Sequence, residues 1–292
     1  MKRSLWTRLT AMALCLCMAV GLTACGAGEK SPAKQSYTVT VQTEGGMPLE
    51  GIRVNVYDRN DPTDLVWAAM TDKNGAVTFQ ADNAATDAVL AEVPAGYEAA
   101  ERYALEGADT VLSLKATLLD GALSEYRFSR GDMMCDFTVV AGNADVTSST
   151  AAKEYTLSEL LKTKKAVVLN FWFEGCGPCR AEFPYLQTAY ETYADDVEVL
   201  AINPYDGTAA SVQTYAANLG LTFPVMKGDE AWMSALNVTA FPTTVVIDRY
   251  GMIAMVHTGA VTGIGEFEKV FGFFTSDDYV QTTVRNFSDI GE

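Results

Sequence analysis

Two cysteines separated by glycine and proline, Cys176-Gly177-Pro178-Cys179, directly follow the apolar run Ala166 to Phe173 and open an amphipathic stretch from Arg180 to Tyr193. Strand, turn and helix in that order set two thiols on a first helical turn. Residues three apart there share a face, so their sulfurs meet and a disulfide opens and closes with little backbone movement. A helix N-terminus also carries unpaired N–H groups and positive partial charge, and both stabilise a thiolate. The first cysteine gains more from this, which makes Cys176 the expected nucleophile and Cys179 the resolving thiol.

The remaining cysteines bound where this chemistry takes place. Cys15 and Cys17 fall in an N-terminal segment with a basic head (Lys2, Arg3, Arg8) and an apolar run from Leu9 to Leu22, closed by Leu22-Thr23-Ala24-Cys25. Residues 1–24 read as a targeting segment. The run is short for a membrane span, which needs about 20 apolar residues. The segment resembles a bacterial lipoprotein signal with its lipobox, and that resemblance implies cleavage before Cys25 and a lipid on Cys25. Only Cys135, Cys176 and Cys179 then remain as thiols, too few for a chain that relies on disulfides for stability. The adjacent pair is therefore read as chemical and not structural.

Loss of residues 1–24 removes three of the 21 Lys+Arg and none of the 37 Asp+Glu, leaving a net charge near −19. So acidic a surface disfavours nucleic acid and anionic lipid headgroups as partners, and it keeps a tethered chain soluble. The 268 residues that follow suit two domains. Residues 25–36 read as a tether, in which the small, polar, proline-containing stretch Gly26 to Ser36 reaches roughly 35 Å at about 3.3 Å per residue.

From residue 37 to 117 the pattern is strand and turn. Tyr37–Thr43 and Ile52–Tyr57 alternate, and Asp72-Lys73-Asn74-Gly75 reads as a hairpin turn into Ala76–Phe79. Short strands at this spacing predict an all-β sandwich. Pro48–Tyr57, Thr71–Phe79 and Val93-Pro94-Ala95-Gly96-Tyr97 resemble the Cna B-type and carboxypeptidase-regulatory-like sandwiches of bacterial surface proteins. Some of those carry an internal lysine crosslink. Lys115 and Lys34 lie at about the expected places, but without a clear matching acid set the domain reads as a spacer.

Residues 118–133, with Gly121 and Gly131 among charged residues, read as a linker. Strands and helices then alternate. Strands are expected at Asp136–Val140, Val167–Phe171, Val197–Asn203 and Phe223–Met226, with a strand pair at Thr243–Ile247 and Met252–His257. Helices are expected at Ser158–Lys162, Thr208–Leu219, Asp229–Leu236 and Gly263–Phe273. This order predicts an α/β fold with one central mixed sheet and helices on both faces, over residues 134–274, followed by a tail at 275–292.

Residues 132 to about 274 resemble the thioredoxin-fold proteins of the TlpA/ResA class, membrane-tethered thiol-disulfide oxidoreductases of the redoxin family. The resemblance rests on Asp136-Phe137-Thr138-Val139, Val168-Leu169-Asn170-Phe171-Trp172, Cys176 to Pro184, Val238 to Thr244 and Ile247 to Gly251. It implies a thioredoxin fold and a redox-active Cys176–Cys179 disulfide. It further implies a cis peptide at Pro242 facing the cysteines, a client-binding surface including Phe241, Pro242 and Trp172, and Glu182 as an acid that relays the proton of the buried thiol. Electrons would come from a membrane donor of the CcdA/DsbD type and pass to exported protein disulfides. Two positions depart from the family: Gly175 stands where a tryptophan is usual, and Cys135 where a proline commonly precedes Asp-Phe. Cys135 reads as a buried inert thiol, or else as a third redox player.

Other chemistries fit less well. A closed zinc site needs two ligands beside the pair, and His257 and Cys135 are the only spare histidine and thiol, so no metal and no cofactor are expected. A peroxiredoxin shares the Asp136-Phe137-Thr138 start but needs threonine three before its cysteine, where Phe173 stands. A surface-binding protein with a passive thioredoxin module would not need both cysteines. The Gly-Pro spacer is typical of reducing thioredoxins, near −270 mV against about −120 mV for strong oxidants, which favours a reductase.

Overall fold

The computed structural model describes residues 34–81, 85–141 and 153–290. The targeting segment, Cys25 and most of the tether lie outside the described residues. Among those described, no helix is long and apolar enough to cross a membrane.

The first half is a two-layer β-sandwich. Its strands are β1 (Gln35–Thr43), β2 (Arg53–Asp58), β3 (Leu65–Met70), β4 (Ala76–Ala81), β5 (Thr86–Ala91), β6 (Tyr97–Glu98), β7 (Tyr103–Leu105) and β8 (Asp109–Ala116). One sheet has the order β4-β1-β8-β6 and the other β3-β2-β5-β7. Alternate residues turn inward, so Val39, Val41, Val54, Val56, Val77, Phe79, Leu112 and Leu114 form the core between the layers. Asp72–Gly75 does make the expected tight turn: Asp72 accepts from the Asn74 and Ala76 amides, and Gly75 takes a positive φ of 71°. It does not close a hairpin, however. It carries the chain from β3 in one sheet to β4 in the other, and β4 pairs with β1. Lys115 is exposed on β8, away from the sandwich core.

The second half contains β9 (Thr138–Ala141), β10 (Lys153–Thr156), α1 (Leu157–Leu160), β11 (Ala166–Phe171), α2 (Gly177–Tyr193), β12 (Val197–Asn203), α3 (Ala209–Asn218), β13 (Val225–Lys227), α4 (Glu230–Ala235), β14 (Thr243–Asp248), β15 (Ile253–Thr258) and α5 (Ile264–Thr275). The central sheet runs β13-β12-β11-β14-β15. β11 is parallel to β12, which is parallel to β13, while β14 is antiparallel to both β11 and β15. Every residue of β11 is buried, because helices cover both faces of the sheet. Ala166, Val168 and Trp172 pack with residues of α2 and α5 on one face. Val167, Leu169 and Phe171 pack on the other with Phe137, Leu157 and Trp232.

The two halves touch through packed contacts. Gly96, at φ +83°, lies so close to Met133 that a Cβ there would fall 2.3 Å from the methionine side chain. The Tyr97 hydroxyl reaches the Met252 sulfur at 3.9 Å, and the Gln281 amide donates to the Gly45 carbonyl at 2.8 Å. The segment read as a linker is itself docked: Phe128 is buried, its amide donates to the Ala235 carbonyl, and the Gly131 amide donates to that of Ile253. The segment read as a tail packs too, burying Tyr279, Val284, Phe287 and Ile290.

Candidate functional site

Cys176 caps α2, and Cys179 is the third residue of its first turn. The two form a disulfide with Cα atoms 5.3 Å apart, and the Cys179 amide donates to Cys176 Sγ at 3.1 Å. That bond uses one of the orphan N–H groups of the helix start. Cys176 is the outer partner, 3% exposed against 0% for Cys179. Gly177 and Pro178 beside it are exposed.

Glu182 sits one turn further along α2 and is wholly buried. Its two oxygens accept from Asn170 Nδ2 at 2.9 Å and from the Val261 amide at 3.0 Å. Asn170 lies on the α2 face of β11, so the pair ties strand, helix and the loop before α5 together. Burial pushes the Glu182 carboxyl up to about 7, and the two donors offset only part of that rise. It is therefore not a solvated helix carboxylate, and it holds its proton above the usual carboxylate range.

The Phe241–Pro242 peptide is cis. It lies one residue before Thr243, which pairs with Phe171 at the end of β11 from which the cysteine loop leaves. The Thr243 hydroxyl donates to the Ala240 carbonyl, and the Gly259 amide to the Pro242 carbonyl, holding the loop on both sides. Phe241 itself makes no backbone hydrogen bond to a described residue outside the sheet ladders. Its ring meets that of Phe173 at 5.4 Å, edge to face, which brings the loop before Pro242 against the loop before Cys176.

Trp172 differs from the expectation of a client-facing surface. It is 0% exposed, packed against Phe183 at 5.4 Å and stacked on Tyr215 at 5.8 Å. The strand alternation that turns Val168 toward α2 turns Trp172 the same way, and the half-buried Phe173 is the aromatic left at the surface. Cys135 packs on the opposite face of the sheet from Cys176 and Cys179, fully buried, with burial pushing its thiol up. The sheet stands between Cys135 and the Cys176–Cys179 disulfide.

One cluster was not foreseen. Asn203 ends β12 fully buried, accepts from the Tyr205 and Asp206 amides at 3.1 and 2.9 Å, and donates to Asp206 Oδ2 at 2.8 Å. The same Asp206 oxygen accepts from the Glu174 amide at 2.6 Å. The loop after β12 is thereby latched to the loop that carries Cys176. The signal for it is Asn203-Pro204-Tyr205-Asp206-Gly207, an aromatic in a turn at the carboxyl end of a parallel strand, where ligands of α/β sheets gather.

A five-stranded mixed sheet with a capped cysteine pair on the first turn of its covering helix and a cis-proline loop beside it defines the class of thioredoxin-fold proteins with a dithiol centre. A family model described as Redoxin matches residues 130–271. Thioredoxin-like protein YneN of Bacillus subtilis is 35% identical over 100 residues, 34% of this chain and 59% of that one. Thiol-disulfide oxidoreductase ResA of Geobacillus thermodenitrificans is 35% identical over 119 residues, 40% of this chain and 67% of that one. A thiol:disulfide interchange protein of the thioredoxin family from Chlorobium tepidum superposes with a TM-score of 0.41 at 25% identity, over 51% of this chain and 99% of that one. The chain belongs to the redoxin family, among its ResA-like members.

Proposed function

We propose that this protein is a thiol-disulfide oxidoreductase that reduces disulfides of exported proteins through Cys176 and Cys179. The observation that carries this reading is the Cys176 sulfur at the cap of α2, accepting the Cys179 amide. In the reduced protein that amide and the helix start favour a Cys176 thiolate. The thiolate attacks one sulfur of the client disulfide. The client S–S bond breaks, a mixed disulfide forms, and the departing client sulfur takes up a proton. Cys179 then gives up its proton and attacks Cys176 Sγ, releasing the second client thiol. Two electrons pass to the client, and the protein is left with the Cys176–Cys179 disulfide.

Glu182 serves the second step. Buried one turn beyond Cys179, with its carboxyl near 7, it takes the proton from Cys179 and returns it on re-reduction. The backbone of Phe241, beside cis-Pro242 and without a backbone hydrogen bond to another described residue, pairs with an extended client segment. Re-reduction needs an electron source, for which a CcdA/DsbD-type membrane dithiol is the fitting class. The lipobox-like Leu22-Thr23-Ala24-Cys25 supports an extracytoplasmic chain held to the membrane by a lipid on Cys25. The sandwich, read as Cna B-like, sets the height of the dithiol centre or engages a partner.

Equilibration with thiol–disulfide buffers of known potential tests the direction. A midpoint near −270 mV, with stoichiometric reduction of insulin disulfides by the reduced protein, is the expected result. A midpoint near −120 mV with no insulin reduction contradicts it.

A further inference from the structure

Three aromatic rings close the side of the site next to Cys176. Phe173 precedes the cysteine loop, Tyr205 lies in the loop after β12, and Phe241 precedes the cis-proline. Each ring touches the other two, with centroids 5.4 Å apart for Phe173–Phe241 and Tyr205–Phe241 and 5.9 Å for Phe173–Tyr205. Tyr205 nevertheless remains 57% exposed, and Thr239 and Ala240 beside Phe241 are exposed as well. A large apolar ring left in water on a loop tip is ordinarily either mobile or solitary. This one is neither: Asn203 holds its backbone, Asp206 latches the loop to Glu174, and Lys227 Nζ bonds the Pro204 carbonyl at 2.7 Å.

Gly175 explains why the rings sit there. A Cβ at residue 175 would meet Phe173 Cε2 at 3.1 Å, so the Phe173 ring borders the space in which a side chain preceding Cys176 would stand. The chain has no side chain directly before its nucleophile and sets a three-ring surface beside that gap. The segments 171–176, 203–208 and 239–243 contain no lysine or arginine, and their charged residues, Glu174 and Asp206, are acidic; the cations beside them are Lys227, whose Nζ is engaged by the Pro204 carbonyl, and the exposed Arg180 that follows Cys179.

We propose that Tyr205, with Phe173 and Phe241, seats an apolar side chain flanking the reactive cysteine of a client polypeptide, and so selects clients with apolar rather than acidic flanks. This rests on the oxidoreductase reading and adds a specificity-determining residue, Tyr205, to it. The surface is held in place before the client arrives, so little ordering entropy opposes binding. Removing roughly 60 Å² of apolar surface from water corresponds to about a tenfold gain.

The test uses short peptides whose single cysteine is blocked as a mixed disulfide with thionitrobenzoate, flanked by Phe, Ser or Glu, and reduced by the reduced protein in single turnover. The Phe peptide is expected to react about tenfold faster than the Ser peptide at subsaturating concentration, and the Glu peptide slowest. Tyr205→Ser should bring the Phe/Ser ratio within about twofold, and Tyr205→Phe should keep it. The ratio is taken on one preparation, so a partly folded variant does not distort it. Equal rates for Phe and Ser peptides in the unmodified protein, or an undiminished ratio in Tyr205→Ser, would overturn the proposal. Absence of thionitrobenzoate release from every peptide would instead sink the oxidoreductase reading beneath it.

Discussion

Glu182→Gln isolates the cost of keeping a carboxyl inside the fold. Below about pH 4.5 Glu182 is protonated in folded and unfolded chains alike. Above that its unfolded form ionises, while burial holds the folded form protonated up to about 7. Between those values the folded state binds one proton more than the unfolded state, so stability falls as pH rises. A rise from 4.5 to about 7 corresponds to about 3 kcal/mol. Glutamine is neutral throughout and lacks this dependence, while its altered hydrogen bonding to Asn170 and Val261 adds a constant offset. Asp248, whose buried carboxyl is pushed up to about 6, titrates in both proteins and cancels in the difference. Urea unfolding of the oxidised proteins, followed by tryptophan fluorescence from pH 4 to 8, reads the effect. Relative to the variant, the unmodified protein should lose about 3 kcal/mol across that range. Parallel stability curves, or a difference that grows in the opposite direction, would refute the reasoning.

Two further outcomes follow from packing. Gly96→Ala would force a Cβ to within 2.3 Å of Met133 at a positive φ, so it should cost about 2–4 kcal/mol in urea unfolding and increase chymotryptic cleavage after Tyr97. Cys135, buried behind the sheet, should stay unreactive to iodoacetamide in the native reduced protein while Cys176 alkylates. Mass spectrometry should find it modified only after denaturation, and early labelling of Cys135 would contradict its placement.

The cysteine turn was legible because its neighbours spell strand, turn and helix over a few residues, and the cap geometry is local. The bounds of β12 follow directly from the apolar run 197–203, and the central sheet from strand–helix alternation. The inward turn of Trp172 is not legible in the sequence, for a physical reason. A strand buried on both faces has no polar alternation to reveal which residues point where. The Asp72–Gly75 turn was misjudged because the same Asx and glycine chemistry serves a hairpin and a crossing between sheets. β3, Leu65-Val66-Trp67-Ala68-Ala69-Met70, and β5, Thr86-Asp87-Ala88-Val89-Leu90-Ala91, are diluted by alanine, a weak strand former, and gave no clear signal. The burial of Glu182 and the latch from Asp206 to the Glu174 amide arise from elements distant in sequence, and only the folded chain brings them together.

The central claim is that Cys176 attacks and Cys179 resolves. It is tested most directly by incubating Cys179→Ser and Cys176→Ser variants, each reduced, with a disulfide-containing protein and mapping the mixed disulfides by mass spectrometry. The predicted result is a stable client adduct on Cys176 in Cys179→Ser and none on Cys179 in Cys176→Ser. Adducts on Cys179 in Cys176→Ser, with none in Cys179→Ser, would contradict the account.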